Sequence, residues 1–203
     1  MKHAVVLAHP NPESFNAAIA RRCMLTLENG GHEAMLRDLY AMDFDPRLRR
    51  EEVSVSHGRP APDVVAERQV LADVDSFIFV YPLWFNAEPA ILKGYVDRVF
   101  GEGFGSRAGL LGSTPLLAGR WLTSVTTSGA PDHWVRSTGA LQALMTTFDH
   151  HLAAVCGLTV TEHLHFGSIG PDLDPDAGRD VLDQMADGLT ALFPPAKAPR
   201  PAS

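Results

Sequence analysis

The stretch "SFIFVYP", Ser76–Pro82, constrains the fold of this chain more than any other. Phe77, Ile78, Phe79, Val80 and Tyr81 run without polar alternation. Such a strand has to be covered on both faces, which is the habit of parallel sheets flanked by helices. "HAVVLAHP" near the N-terminus reads the same way, as a short buried strand over His3–Ala8 stopped by Pro10 and Pro12. Between these strands lies "SFNAAIARRCMLTLENGG", where Ile19, Cys23 and Leu27 recur at helical steps and Asn29-Gly30-Gly31 ends the run.

The alternation continues along the chain. "HEAMLRDL" predicts a strand near a sheet edge, because its apolar residues alternate with charge. Residues 40–63 predict a polar loop carrying a short helix, and "VVAERQVLADV" a helix. "AEPAILKGYVDRVF" predicts a helix with Ile91, Tyr95 and Val99 on one side. The glycine-rich stretch 101–119 is too long for a simple turn and reads as a binding or contact loop. "RWLTSVTTSG" and "LTVTEHLHFG" predict strands, with helices in "ALQALMTTFDHHLAAVCG" and "DAGRDVLDQMADGLTALF". Five strands alternating with helices imply one α/β domain over residues 1–193, a parallel sheet of order 2-1-3-4-5 with helices on both faces. The Pro/Ala-rich tail, 194–203, is expected to be disordered.

Composition removes several functions. With 203 residues the chain suits one domain with a sizeable core. Its net charge is −7 and no basic cluster occurs, which argues against nucleic-acid binding. No apolar run is long enough to span a bilayer, and no secretion signal is recognisable. Cys23 and Cys156 are expected to be reduced core residues of a cytoplasmic protein. His163 and His165 fall on one face of the last strand, and His150-His151 are adjacent, but neither pair has a convincing third ligand, so no metal is expected. Ser14 lacks the G-x-S-x-G setting of a hydrolase nucleophile.

Ligands of such sheets bind beyond the carboxyl ends of the strands. Three junctions are therefore informative. In "HPNPESFN" there is no G-x-G-x-x-G, so a dinucleotide-binding Rossmann domain loses its main warrant. Ser14 and Asn16 stand where they could cap a helix or, with free amides, hold a phosphate. His9 sits at the strand exit, hydrogen-bonded internally or to a ligand. In "YPLWFN", Pro82, Leu83, Trp84 and Phe85 form either packing for a loop or a wall for a flat ring. In "TTSGAPDHW", Thr126, Thr127, Ser128 and Gly129 offer donors for a turn or for a heterocycle, and His133 and Trp134 follow as candidates to face a second ligand.

Taken in order, these junctions together with "PAILKGYVDRVF" and "CGLTVTEHLHFGSIG" resemble the NAD(P)H:quinone oxidoreductase family, over most of the chain. The resemblance implies a flavodoxin-like three-layer sandwich. It also implies a tightly held flavin, reduced by NAD(P)H and reoxidised by a quinone or related aromatic acceptor, with the two substrates using one pocket in turn. By the family pattern His9, Ser14, Phe15 and Asn16 hold the phosphate side, Pro82 to Phe85 line the ring, and Thr126 to Gly129 bond its polar edge. Ile169 matches a flavin-side position, and Arg179 resembles an adenine-side arginine, which points to FAD over FMN. A homodimer with the site at the interface is the family habit.

Two departures stand out. Trp134 and Ala140 occupy the places of the family's tyrosine and histidine, which leaves His133 as the candidate acid and Trp134 as a stacking residue. Phe85 and Asn86 stand where larger aromatic residues are usual, and the long C-terminal extension of the mammalian form is missing, so a more open acceptor pocket is expected. Two other readings compete: a regulatory flavoprotein beside a potassium efflux transporter, and an electron-transfer flavodoxin.

Overall fold

In the computed structural model, which describes residues 1–53, 59–109 and 112–196, all seven residues of β3 (Ser76–Pro82) are buried. Its position explains this: β3 is the middle strand of a five-stranded sheet. On one side lie β1 (Lys2–Leu7) and then β2 (Glu33–Asp38); on the other lie β6 (Trp121–Thr127) and β7 (Thr159–Phe166). Every neighbouring pair is parallel. The expected order 2-1-3-4-5 is the observed one, with β6 and β7 as fourth and fifth strands and β2 at an edge.

Alternate residues of the inner strands serve opposite layers. Val5, Leu7, Ile78 and Val80 pack with Ile19, Cys23 and Leu27 of α1 (Phe15–Asn29) and with Met185 and Leu189 of α7 (Pro175–Leu192). Ala4, Val6, Phe77, Phe79 and Tyr81 pack on the other face, against Leu92, Tyr95 and Val99 of α3 (Ala90–Val99) and Phe148 and Leu152 further on. Each fully buried Phe or Leu side chain contributes about 2–3 kcal/mol by leaving water. The Cys23 and Cys156 thiols are free and buried, and burial pushes them up to about 12 and about 11, far from any nucleophilic role.

Local chemistry sets the helix ends. Ser14 caps α1, its side chain accepting from the Ala17 amide at 3.1 Å. Asp174 caps α7 by accepting from Asp176 and Ala177. Helix α3 begins later than the sequence suggests, at Ala90, because Trp84 and Ala87 first close a tight turn on each other and Pro89 follows it. α2 (Pro62–Val70) starts with proline at its first position. The polar segment before α2 is held down by Arg98, whose fully buried side chain reaches Glu52 at 3.0 Å and Asp63 at 2.8 Å. Gly94 completes this clamp: a β-carbon there would lie 2.2 Å from the Pro46 carbonyl oxygen.

Three features correct the sequence reading. The stretch 101–119, expected to be a binding or contact loop, carries an antiparallel strand pair, β4 (Ser106–Gly109) with β5 (Gly112–Pro115). A short helix, α4 (Asp132–Ser137), follows β6 where only a turn was expected. The helix over residues 140–157 is interrupted: α5 (Ala140–Leu144) and α6 (His151–Cys156) flank a π-helical segment, Met145–His150. At the C-terminus, the Ala196 amide donates to the Gly30 carbonyl at 2.8 Å and Pro194 accepts at 3.1 Å from the His32 ring. Residues 194–196 are thus docked on the α1–β2 turn, and the rest of the expected disordered tail lies outside the described residues.

Candidate functional site

The ends of β1, β3 and β6 open onto one cavity of about 450 Å³. From the β1–α1 connection it is lined by His9, Asn11, Ser14, Phe15 and Asn16. From the end of β3 come Pro82, Leu83 and Trp84, and from the end of β6 Thr127, Ser128 and Gly129. The loop after β7 adds Ile169, Gly170 and Pro171.

Each wall has its own cause. In the first, Asn11 folds the turn: its side-chain oxygen accepts from Glu13 N at 2.9 Å, and its amide meets His9 Nδ1 at 3.0 Å. This brings α1 in with its N-terminus at the cavity. The Phe15 and Asn16 amides donate to no protein acceptor among the described residues, so two N–H groups and the helix dipole are open to an anion. In the second wall, Phe85 and Asn86 both take positive φ, +51° and +58°, to close the Trp84–Ala87 turn. Leu83 and Trp84 are thereby set as an apolar edge, with the His9 ring 6.0 Å from the Trp84 ring. In the third, Gly129 offers an amide with no protein acceptor among the described residues.

The walls are tied together at Thr127. Its carbonyl accepts from Leu83 N at 2.7 Å, and its hydroxyl exchanges hydrogen bonds with the Asn16 amide group at 2.9 and 3.3 Å. Asn16 and Thr127 are both buried, so these bonds form in a low-dielectric setting where they are strong and costly to lose. The fourth wall hangs on Ser128, whose carbonyl accepts from Ile169 N at 2.9 Å. Gly167 allows the β7 exit to pass under α4: a β-carbon there would sit 2.1 Å from Asp132 N.

The structure therefore brings His9, Ser14, Phe15, Asn16, Pro82, Leu83, Trp84, Thr127, Ser128, Gly129 and Ile169 together on one cavity. Five expected site residues are placed elsewhere. Thr126 is completely buried one residue before the strand end, and its hydroxyl lies between His163 Nε2 at 2.8 Å and His165 Nδ1 at 2.9 Å. Strand alternation turns it away from the wall that Thr127 forms. Phe85 is fully exposed at the tip of its turn. His133 and Trp134 lie on α4 and are exposed. Arg179 pairs with Asp176 on the surface of α7, both well exposed, and does not line the cavity.

Sequence reading missed Asn11, Gly170 and Pro171. The signal was available: Asn11-Pro12 is a turn former, and the strand-end rule applied to β7 leads directly to Gly170-Pro171. It also missed Asp149, which is 1% exposed and receives a hydrogen bond at 2.7 Å from Ser124. Burial lowers His165 to about 4, so its ring is neutral beneath the cavity at ordinary pH.

A chain of this fold has known relatives. A family described by the flavodoxin-like fold matches residues 1–190. A protein of Haemophilus influenzae named as an uncharacterized NAD(P)H oxidoreductase is 33% identical over 188 residues, covering 92% of each chain. Rat NAD(P)H dehydrogenase [quinone] 1 is 31% identical over 210 residues, covering 93% of this chain and 76% of that one. The solved NAD(P)H:quinone oxidoreductase of Methanothermobacter marburgensis has a TM-score of 0.83 and covers 95% of this chain and 96% of its own. Its identity is 24%, a likeness of fold.

Proposed function

This chain belongs to the flavodoxin-like NAD(P)H oxidoreductases related to the quinone reductases, and on that premise we propose that it binds a flavin in the cavity and uses NAD(P)H to reduce a quinone-type acceptor. One observation carries the reading. A single cavity joins free helix-terminal amides, an apolar aromatic edge and a small polar strand end, which are the three kinds of contact a flavin phosphate, ring face and ring heteroatoms require.

When bound, the flavin supplies the hydride chemistry, accepting from NAD(P)H and delivering to the acceptor. The chain's own residues do the rest. Phe15 and Asn16 present their amides to the phosphate, with Ser14 fixing the helix start that aims them. Pro82, Leu83 and Trp84 exclude water from the ring face and supply stacking area. The Gly129 amide and the Ser128 side face the polar edge, where preorganised donors stabilise developing negative charge. With nucleotide and acceptor taking turns at the open face of the bound flavin, the nucleotide would leave before the acceptor enters, and ping-pong kinetics are expected.

We take the flavin to be FAD, with FMN as the alternative. FAD requires Arg179 to leave its pair with Asp176 and turn to the adenine, whereas FMN requires nothing of it. The exposed rings of Phe85 and Trp134 fit a homodimer in which a second copy covers the open rim. Two reduced, buried cysteines fit the cytoplasm, where NAD(P)H is made. Among the described residues, no helix is long and apolar enough to cross a membrane.

The test is an anaerobic visible spectrum of the purified protein before and after NADH or NADPH. A flavin band bleached by the nucleotide and restored by a quinone supports the reading; a colourless protein that takes up neither flavin overturns it. A band that nucleotide leaves unchanged makes the protein a carrier instead. Heat release of the cofactor separates FAD from FMN, and sedimentation gives the oligomeric state.

A further inference from the structure

Beneath the cavity lies a line of buried polar side chains. It starts at Ser128, which lines the cavity. Ser128 Oγ is 3.2 Å from His165 Nε2; His165 Nδ1 is 2.9 Å from Thr126 Oγ1; Thr126 Oγ1 is 2.8 Å from His163 Nε2. His163 Nδ1 is 2.5 Å from Asp149 Oδ2, and Asp149 Oδ1 accepts from Ser124 at 2.7 Å. All of these residues are buried, Asp149 and Thr126 almost completely. Asp149 reaches the line from the π-helical segment, where both it and the preceding Phe148 turn inward. Single π turns of this kind occur often at functional sites.

We propose that Ser128, His165, Thr126, His163 and Asp149 form a relay that stores one proton under the cavity and exchanges it with the bound redox cofactor or acceptor at Ser128. The proposal rests on the redox reading of this cavity, and it names how that site obtains the proton that must accompany hydride delivery to a quinone. It also answers what replaces the acid of the family pattern, since His133 is exposed on α4 and away from the cavity wall.

Every group in the line can both give and take a proton. Two complete arrangements satisfy the distances. In the first, Asp149 is a carboxylate accepting from His163 Nδ1–H. Thr126 donates to His163 Nε2, His165 Nδ1–H donates to Thr126, and Ser128 donates to His165 Nε2. In the second, Ser128 donates instead to the Ala130 carbonyl, 2.8 Å away. His165 Nε2–H then donates to Ser128, Thr126 to His165 Nδ1, and a doubly protonated His163 to both Thr126 and Asp149.

The two arrangements differ by one proton. A proton arriving at Ser128 Oγ sends the hydroxyl's own proton to His165 Nε2. His165 Nδ1 passes its proton to Thr126, and Thr126 passes its own to His163 Nε2. The charge comes to rest on His163 against the Asp149 carboxylate. The reverse shift releases one proton into the cavity. His165 stays neutral in both arrangements, in keeping with its lowered affinity for a second proton.

The charged surroundings favour this traffic. Burial and the nearby Asp149 and Glu88 raise Tyr81 of β3 well above its ordinary range, opposed by the neighbouring Ser124 hydroxyl. Glu88 is itself raised by burial. From α4, Asp132 and Arg136 face His165 with opposite effects and are paired to each other at 2.7 Å. Asp149 is therefore the closest anion to the store.

Nitrogen NMR of the histidine rings tests the relay, on the protein as purified and again after its flavin is removed. The expected result is one linked transition with pH: His163 gains its second proton as His165 changes from the Nδ1–H to the Nε2–H tautomer. Thr126→Val cuts the line without touching the cavity and should uncouple the two events, whereas Thr126→Ser restores them. In turnover, Thr126→Val should lower kcat about a hundredfold and flatten its pH profile with KM unchanged. Ser128→Ala keeps the linked transition but loses its response to reduction of the cofactor, and it serves if Thr126→Val does not fold. Independent behaviour of the two rings in the wild-type protein overturns the relay and leaves a structural network. The flavin-free titration decides this even if the cavity proves to hold no flavin, so the two readings fail separately.

Discussion

His3 gives a sharp test of how burial controls stability in this fold. It lies at the amino end of β1, away from the cavity, with no exposure and with neither ring nitrogen bonded among the described residues. Its ring packs edge-on against Phe193 at 4.6 Å and His32 at 5.1 Å. Burial lowers its pKa from 6.5 to about 4, helped by His32 and the N-terminus and opposed by Asp75. The folded value lies below the unfolded one, so the unfolded chain binds the extra proton first. Stability is complete above 6.5 and falls as pH drops from 6.5 towards 4. The full loss is about 3 kcal/mol, of which about 2 kcal/mol has gone by pH 5.

Urea unfolding of the wild type and His3→Leu, at pH 7.5 and pH 5 with equal flavin content, measures this. A difference of about 2 kcal/mol corresponds to a midpoint shift of roughly 1 M urea. The wild type should lose that much more than the variant between the two pH values, because His165 and the carboxylates titrate equally in both. Equal losses, or a folded His3 ring titrating near 6.5, would refute the reasoning.

Other outcomes follow from the packing and the walls of the cavity. Gly94→Ala should cost about 2–3 kcal/mol in chemical denaturation, since its β-carbon collides with backbone at Pro46 and one side must shift. Arg98→Met should cost about 3–5 kcal/mol, because it strands the buried Glu52 carboxylate. Phe85→Gly should raise the stability of the monomer by about 1 kcal/mol, removing a positive φ from a side chain that buries nothing; unchanged stability would show that the turn is unstrained. Asn16→Ala should lower stability by about 1–3 kcal/mol by leaving the Thr127 hydroxyl unpaired, and flavin titration should show weaker binding.

Much of this fold is legible in the sequence. The unbroken apolar run Phe77–Tyr81 demanded two covering layers, and the spacing of Ile19, Cys23 and Leu27 supplied one of them. The strand-end rule then located most of the cavity. The misses have physical reasons. The β4–β5 hairpin is largely exposed and glycine-containing, so it shows no apolar alternation. α4 is six residues long, too short for a helical period to register. Thr126 and Thr127 are neighbours in sequence but opposite in facing, and a one-residue register decides which of them reaches the cavity. Asp149 sits in "FDHH", and only a π turn brings it inward.

The knot of bonds at Thr127 has a consequence for how such a pocket can change. Leu83, Asn16 and, through Ser128, Ile169 are all referred to two adjacent residues at the end of one strand. A mutation that moves one wall drags the others, so the cradle can hardly be remodelled piecemeal. Novelty in what the protein accepts has to come from the parts that are not tied in: the ring of Phe85 on its turn, the short helix bearing Trp134, and any second copy that closes over them. The cradle is conservative machinery and the rim is adjustable, which lets one scaffold change its clientele while keeping its cofactor.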